Sequence, residues 1–260
     1  MRLFLSTVLL LLAGGAAHGQ GTVTSRGAAS PPTGAPAGLA QDTPQPNAEP
    51  EWRWRFLTVG ADVTVTSAFV WRGFVLHDKA CLQPDLWVTL GDLTVESWVN
   101  VRSGVASDNH VNEHDLTVDY SHDVRRLTLS AGWTNYRFFG NESGQSNEFY
   151  AGVSADVFLQ PGVQVYRSVG LGDGTYVSLS AAHEWPMGKR ATGAAQAAVG
   201  YNNHLYIDAS GFSDIAITLG LTLPIPSARA ALQPTLTYSR SLMPELFPSR
   251  LFGGFSVAFK

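Results

Sequence analysis

Between Arg55 and Lys260, segment after segment has an apolar residue at every second position, with Thr, Ser, Gly, Asn or charged residues in between. A strand points successive side chains to opposite faces, so this alternation gives each strand one apolar side and one polar side. Leu86, Val88 and Leu90 alternate with Asp85, Trp87 and Thr89, and Ile215, Ile217, Leu219, Leu221 and Leu223 alternate with Ala216, Thr218, Gly220 and Thr222. No stretch of helical period interrupts the series. Such a chain is expected to be all-β, a transmembrane antiparallel up-and-down barrel of about 12 strands, an even number that brings both ends out on one side.

The residues ahead of the barrel agree with that destination. Arg2 followed by the apolar run Leu3 to Ala13 and the small-x-small sequence Ala17-His18-Gly19 has the form of a secretory signal, residues 1–19, cleaved before Gln20. The run is too short to cross a bilayer as a helix. Residues 20–50, with Ala29-Ser30-Pro31-Pro32-Thr33-Gly34-Ala35-Pro36, hold too few large apolar groups for a core and read as a disordered spacer. Residues 51–260 then form the barrel domain, placed in the outer membrane of a Gram-negative envelope.

Composition narrows the function. Charged residues make up 15% of the chain, against about a quarter in soluble domains, while mean hydropathy is neutral at +0.01. A barrel hides its hydrophobicity in the alternation. A formal charge of -4 gives no reason to expect a nucleic-acid partner, and Cys81, the only cysteine, can form no disulfide within the chain. The expected partners are outer-membrane lipid, the machinery that assembles such barrels, and small solutes; oligomeric state is unspecified.

Connections sort by length. Gly91-Asp92, Asp123 to Arg125, Leu159 to Gly162, Pro186 to Arg190 and Pro224 to Ala228 are short, whereas Ser103 to Glu113, Phe138 to Ser146, Asn203 to Phe212 and Ser241 to Ser249 are longer. Short periplasmic turns and long outer loops are the habit of outer-membrane barrels. Trp54, Trp71, Trp133, Tyr136, Trp185, Tyr201, Tyr206, Tyr238 and Phe259 fall near strand ends, where rings can sit at headgroup level. Pro84 and Pro234 lie inside proposed strands and are expected to mark bulges or strand ends.

The first strand, expected to run from Val59 to Trp71, closes on Ser67-Ala68-Phe69-Val70-Trp71-Arg72-Gly73. This segment resembles the Ser-x-Tyr/Phe-x-aromatic-Arg-Gly element of the TorF-type porins and related envelope barrel proteins. Leu82-Gln83-Pro84, Glu113 to Tyr120, Tyr176-Val177-Ser178 and Phe252 to Phe259 extend the likeness over most of the barrel. The resemblance implies a barrel with a pore role.

Face assignment by alternation turns Asp62, Asp85, Glu96, Asp115, Asp119, Glu148 and Asp156 inward, with Arg72, Arg102 and Arg229 as the inward cations. A water-filled lumen so lined favours small cations. The other reading is a closed interior in which Arg72 and Arg102 pair with these carboxylates as a structural network, since unpaired buried charge is costly. Arg72 at the strand end could reach a carboxylate with both arms of its fork.

Catalysis is not expected. There is no Gly-x-Ser-x-Gly elbow, and His77, His110, His114, His122, His183 and His204 fall mostly at strand ends or in loops. Asp108-Asn109-His110 and Glu113-His114-Asp115 read as a solvated loop, without the fixed spacing of a metal site. No cofactor is expected. Two functions remain open: passive diffusion of small polar or cationic solutes, or a non-conducting barrel serving envelope structure, adhesion or docking.

Overall fold

A computed structural model describes residues 57–104, 110–140, 143–188 and 190–259. The expected signal sequence and spacer, with Trp54, lie outside these residues, as do Asp108 and Asn109. The strands are β1 (Leu57–Thr66), β2 (Phe69–Trp71), β3 (Phe74–His77), β4 (Cys81–Leu90), β5 (Leu93–Arg102), β6 (Val111–Val124), β7 (Leu127–Phe138), β8 (Gly144–Ala155), β9 (Gly162–Gly170), β10 (Gly174–Met187), β11 (Ala191–Asn203), β12 (Ser210–Ile225), β13 (Ala230–Ser241) and β14 (Arg250–Phe259). Twelve of them, β1 and β4 to β14, pair antiparallel in chain order, and β1 closes the cylinder on β14 from Ala61↔Phe259 to Thr66↔Gly254.

The two phases of the sequence become the two faces of this wall. Leu86, Val88 and Leu90 are exposed on the outside, while Asp85, Trp87 and Thr89 between them are buried within. The same holds along β12, where Ile217 and Leu219 face out. An apolar exterior around a polar interior inverts the soluble pattern, and it is the arrangement that lipid demands.

Three expectations need correction. The first strand does not reach Trp71: β1 stops at Thr66, and Phe69, Val70 and Trp71 belong to a separate two-stranded hairpin, β2–β3. At the break the Ser67 amide donates to the Gly253 carbonyl at 2.9 Å, and the Gly253 amide donates to Ser67 Oγ at 3.0 Å. The physical reason lies in the pattern itself. Phe69-Val70-Trp71 is an unbroken apolar run, buried at all three positions, which suits a strand covered on both sides, and it leads into the turn Arg72-Gly73.

Pro84 and Pro234, secondly, mark neither bulge nor strand end. Pro84 pairs with Val63 in register, and only the ladder on its other side opens, between Leu82↔Val101 and Asp85↔Trp98. Pro234 likewise keeps its partner Phe255 on β14, while the β12 ladder opens between Gly220↔Thr235 and Leu223↔Leu232. Each missing N–H removes bonds to one neighbour without shifting the register.

The aromatic belt, thirdly, is smaller than the sequence suggests. Trp185, Tyr201, Tyr238 and Phe259 are exposed, but Trp71 and Tyr136 are buried inside the barrel. Loop lengths sort by end only in part: 171–173 is a tight connection on the side of the long loops, and 156–161, on the terminus-bearing side, is as long as 204–209 opposite. In the sequence Val163 to Ser168 reads as a short strand and Ala194 to Asn202 as a weakly marked one, yet β9 and β11 run over 9 and 13 residues.

Candidate functional site

The hairpin β2–β3 is the first connection at the end of the barrel opposite the chain termini, and it folds into the lumen. Trp71 pairs with Phe74 across the two-residue turn Arg72-Gly73. Both turn residues have positive φ, 49° and 84°, as a type I′ hairpin requires. Gly73 is needed twice over, because a Cβ there would also lie 2.8 Å from that of Asp214 on β12. The rest of the hairpin meets the wall on several sides: Phe69 and Trp71 cluster with Trp98, Tyr136, Tyr166 and Tyr176, and Val70 with Phe252. Trp98 is 1% exposed and Tyr176 0%, so the lumen is filled at this level.

Arg72 stands at the hairpin tip, 2% exposed, inside a cage built from the wall. Its Nη1 donates to Glu148 Oε2 at 2.6 Å and its Nη2 to Glu148 Oε1 at 2.7 Å, a fork-to-fork pair. The guanidinium carbon lies 4.0 Å from the centroid of Tyr166, 4.4 Å from Trp71 and 4.7 Å from Tyr176. Burial works against this charge, but the Glu148 carboxylate beside it overrides the penalty and raises Arg72 above the usual arginine range. Tyr136 donates its hydroxyl to Glu148 Oε1 at 2.9 Å, which fixes the carboxylate for its partner. Tyr176 donates to Asp214 Oδ1 at 3.0 Å, and Ser213 Oγ donates to the same atom at 2.7 Å.

The remaining acidic residues named from the sequence divide by position. Asp62 and Asp85 are buried inside and face each other in register between β1 and β4. Asp115 is buried on β6 with Trp98 as its cross-strand partner, and Glu96 lies two residues from Trp98 on the same face of β5. Asp119 accepts hydrogen bonds from Tyr150 at 2.7 Å and Ser121 at 2.6 Å. Arg102 ends β5, half-buried. Two assignments are corrected: Asp156 and Arg229 are exposed in turns at the terminus-bearing end and do not line the lumen. Asp156 follows the last residue of β8 and Arg229 precedes the first of β13, so both lie outside the ladder, where face assignment by parity has no meaning.

Glu113-His114-Asp115 is not a loop either. It belongs to β6, where Glu113 and Asp115 are buried in the lumen and His114 bonds Ser97 Oγ at 2.9 Å. Reading by residue type alone missed Tyr136, Tyr166, Tyr176 and Asp214, the other parts of the cage. Their inward parity was available in the sequence; what joined them was the hairpin, whose inward fold was not anticipated.

No family model and no characterised protein sequence matches the chain, and the likeness found is to solved structures. The NanC porin superposes with a TM-score of 0.53 at 12% identity, over 78% of this chain and all of that one. The chain shares with it the fold of a closed antiparallel barrel. The KdgM porin, solved in complex with disordered oligogalacturonate, gives 0.50 at 11% identity over 77% of this chain and 98% of that one. An outer membrane channel from Pseudomonas putida F1 gives 0.50 at 9% identity, with 82% and 99% covered. At these identities the likeness is one of fold.

Proposed function

We propose that this protein is an outer-membrane channel, related to the TorF-type porins, for passive diffusion of small polar or cationic solutes. The hairpin Phe69–His77 is the element that closes it. The observation that carries this reading is the pairing of a carboxylate-rich lumen with a plug that shares no ladder with the wall. Of the three cations assigned inward from the sequence, Arg229 lies in an exposed turn and Arg72 is matched by Glu148. Against the remaining cation, Arg102, stand Asp62, Asp85, Glu96, Glu113, Asp115 and Asp119, so acidic groups outnumber basic ones in the lining, and a ring of one sign biases passage towards the other.

The second reading, a non-conducting barrel for envelope structure, adhesion or docking, is favoured by the buried aromatic layer around Trp98, Tyr166 and Tyr176. Single-channel recording of refolded protein separates the two. The channel reading expects rare openings in the native chain and sustained cation-preferring current when residues 69–77 are replaced by a short Gly-Ser link. Silence in both proteins supports the second reading.

A further inference from the structure

We infer that the cage around Arg72 is a binding site for the guanidinium head of an incoming solute, and that Arg72 occupies it as an internal stand-in. This inference rests on the channel reading for how a solute arrives, though not for the site itself.

Nearly all of the recognition belongs to the barrel wall. Glu148 on β8 supplies both oxygens, Tyr136 on β7 orients them, and Tyr166 and Tyr176 on β9 and β10 supply flat faces. Only Trp71 travels with the hairpin. A planar fork with parallel N–H groups uses two carboxylate oxygens and stacked rings together, whereas an ammonium presents a point charge that uses neither well. Asp214, accepting from Tyr176, adds a second carboxylate beside the turn. The geometry thus selects for guanidinium over other cations.

The present occupant is also exchangeable. β2 and β3 pair with each other and not with the barrel ladder, so the tip can leave without breaking the cylinder. Arg72 itself sits at φ 49°, a backbone region that is strained for a residue with a side chain. A solute head that takes Glu148 displaces the tip from the lumen.

Arg72→Ala leaves a space that ethylguanidinium fills atom for atom beyond the Cβ. In refolded Arg72→Ala, ethylguanidinium is expected to raise the melting temperature saturably by a few degrees. Ethylammonium and sodium at equal ionic strength do not, and the effect disappears in Arg72→Ala/Glu148→Gln. The wild type needs higher concentrations, because Arg72 competes. Equal responses to ethylguanidinium and ethylammonium, or a response that survives loss of Glu148, overturn the inference. If Arg72→Ala does not refold, the titration is read from tryptophan fluorescence in the wild type against Glu148→Gln, where a guanidinium-selective, Glu148-dependent change supports the site and an unselective or Glu148-independent one overturns it. Selective binding in a barrel that never conducts keeps the site and removes the channel reading; conduction without selective binding removes the site.

Discussion

Glu148 and Arg72 are each about as buried as a side chain can be, with 1% and 0% of their side-chain surface exposed. Two such charges are costly to bring out of water, and what makes the arrangement tenable is that each satisfies the other twice while rings cover the rest. Removing one partner strands the other. Glu148→Gln is expected to destabilise the folded barrel by about 3–5 kcal/mol, read from urea unfolding in lipid vesicles. Arg72→Ala/Glu148→Gln is expected to recover part of that loss, as coupled neighbours do in a double-mutant cycle. The other carboxylates of the wall act differently. Asp85→Asn together with Asp115→Asn, in the hairpin-shortened barrel, shifts the reversal potential towards anions in a salt gradient; an unchanged potential removes these residues from selectivity.

At the scale of elements, the hairpin is held by its own apolar residues. Phe69, Val70 and Trp71 are 4%, 6% and 7% exposed, and burial of such side chains stabilises by about 1.5–3 kcal/mol each. In the proposed channel the plugged state therefore dominates, and opening needs a ligand, a mutation or a strong bias. Gly73→Ala meets both an unfavourable φ and the Asp214 side chain. It is expected to dislodge the tip and expose residues 67–80 to protease, whereas Gly91→Ala, in a turn where the added Cβ meets nothing within 4 Å, leaves that segment protected. The same element shows where the sequence could be read and where it could not. Alternation at Asp85 to Leu90 or Ile215 to Leu223 reports the face of a strand because one side is lipid and the other is polar. Phe69-Val70-Trp71 has no alternation to report, and extending the first strand through it placed Phe69 and Trp71 on the wrong surface. Pro84 and Pro234 misled in the opposite direction: an absent donor suggests interruption, yet in a closed sheet the second neighbour holds the register. The Arg-Gly element was legible as unusual, but its partner Glu148 lies 76 residues away, a distance that no local pattern spans.

For the molecule as a whole, the wall is the decisive feature. Val59, Val65, Leu86, Leu90, Leu219, Leu236 and Leu251 stand exposed on one continuous outer surface, a load no monomer in water carries. Leu219→Arg, on the outer face midway along the barrel, is expected to cost about 2–4 kcal/mol in a bilayer, read from unfolding in vesicles; a soluble surface would tolerate it. Closure also makes a folded barrel resist detergent as a unit. The most direct test is gel mobility of the membrane-extracted protein in dodecyl sulfate, with and without boiling. A closed barrel runs as a compact, faster band that shifts to the full-length position only after heating; one unchanged band in both lanes would rule the cylinder out.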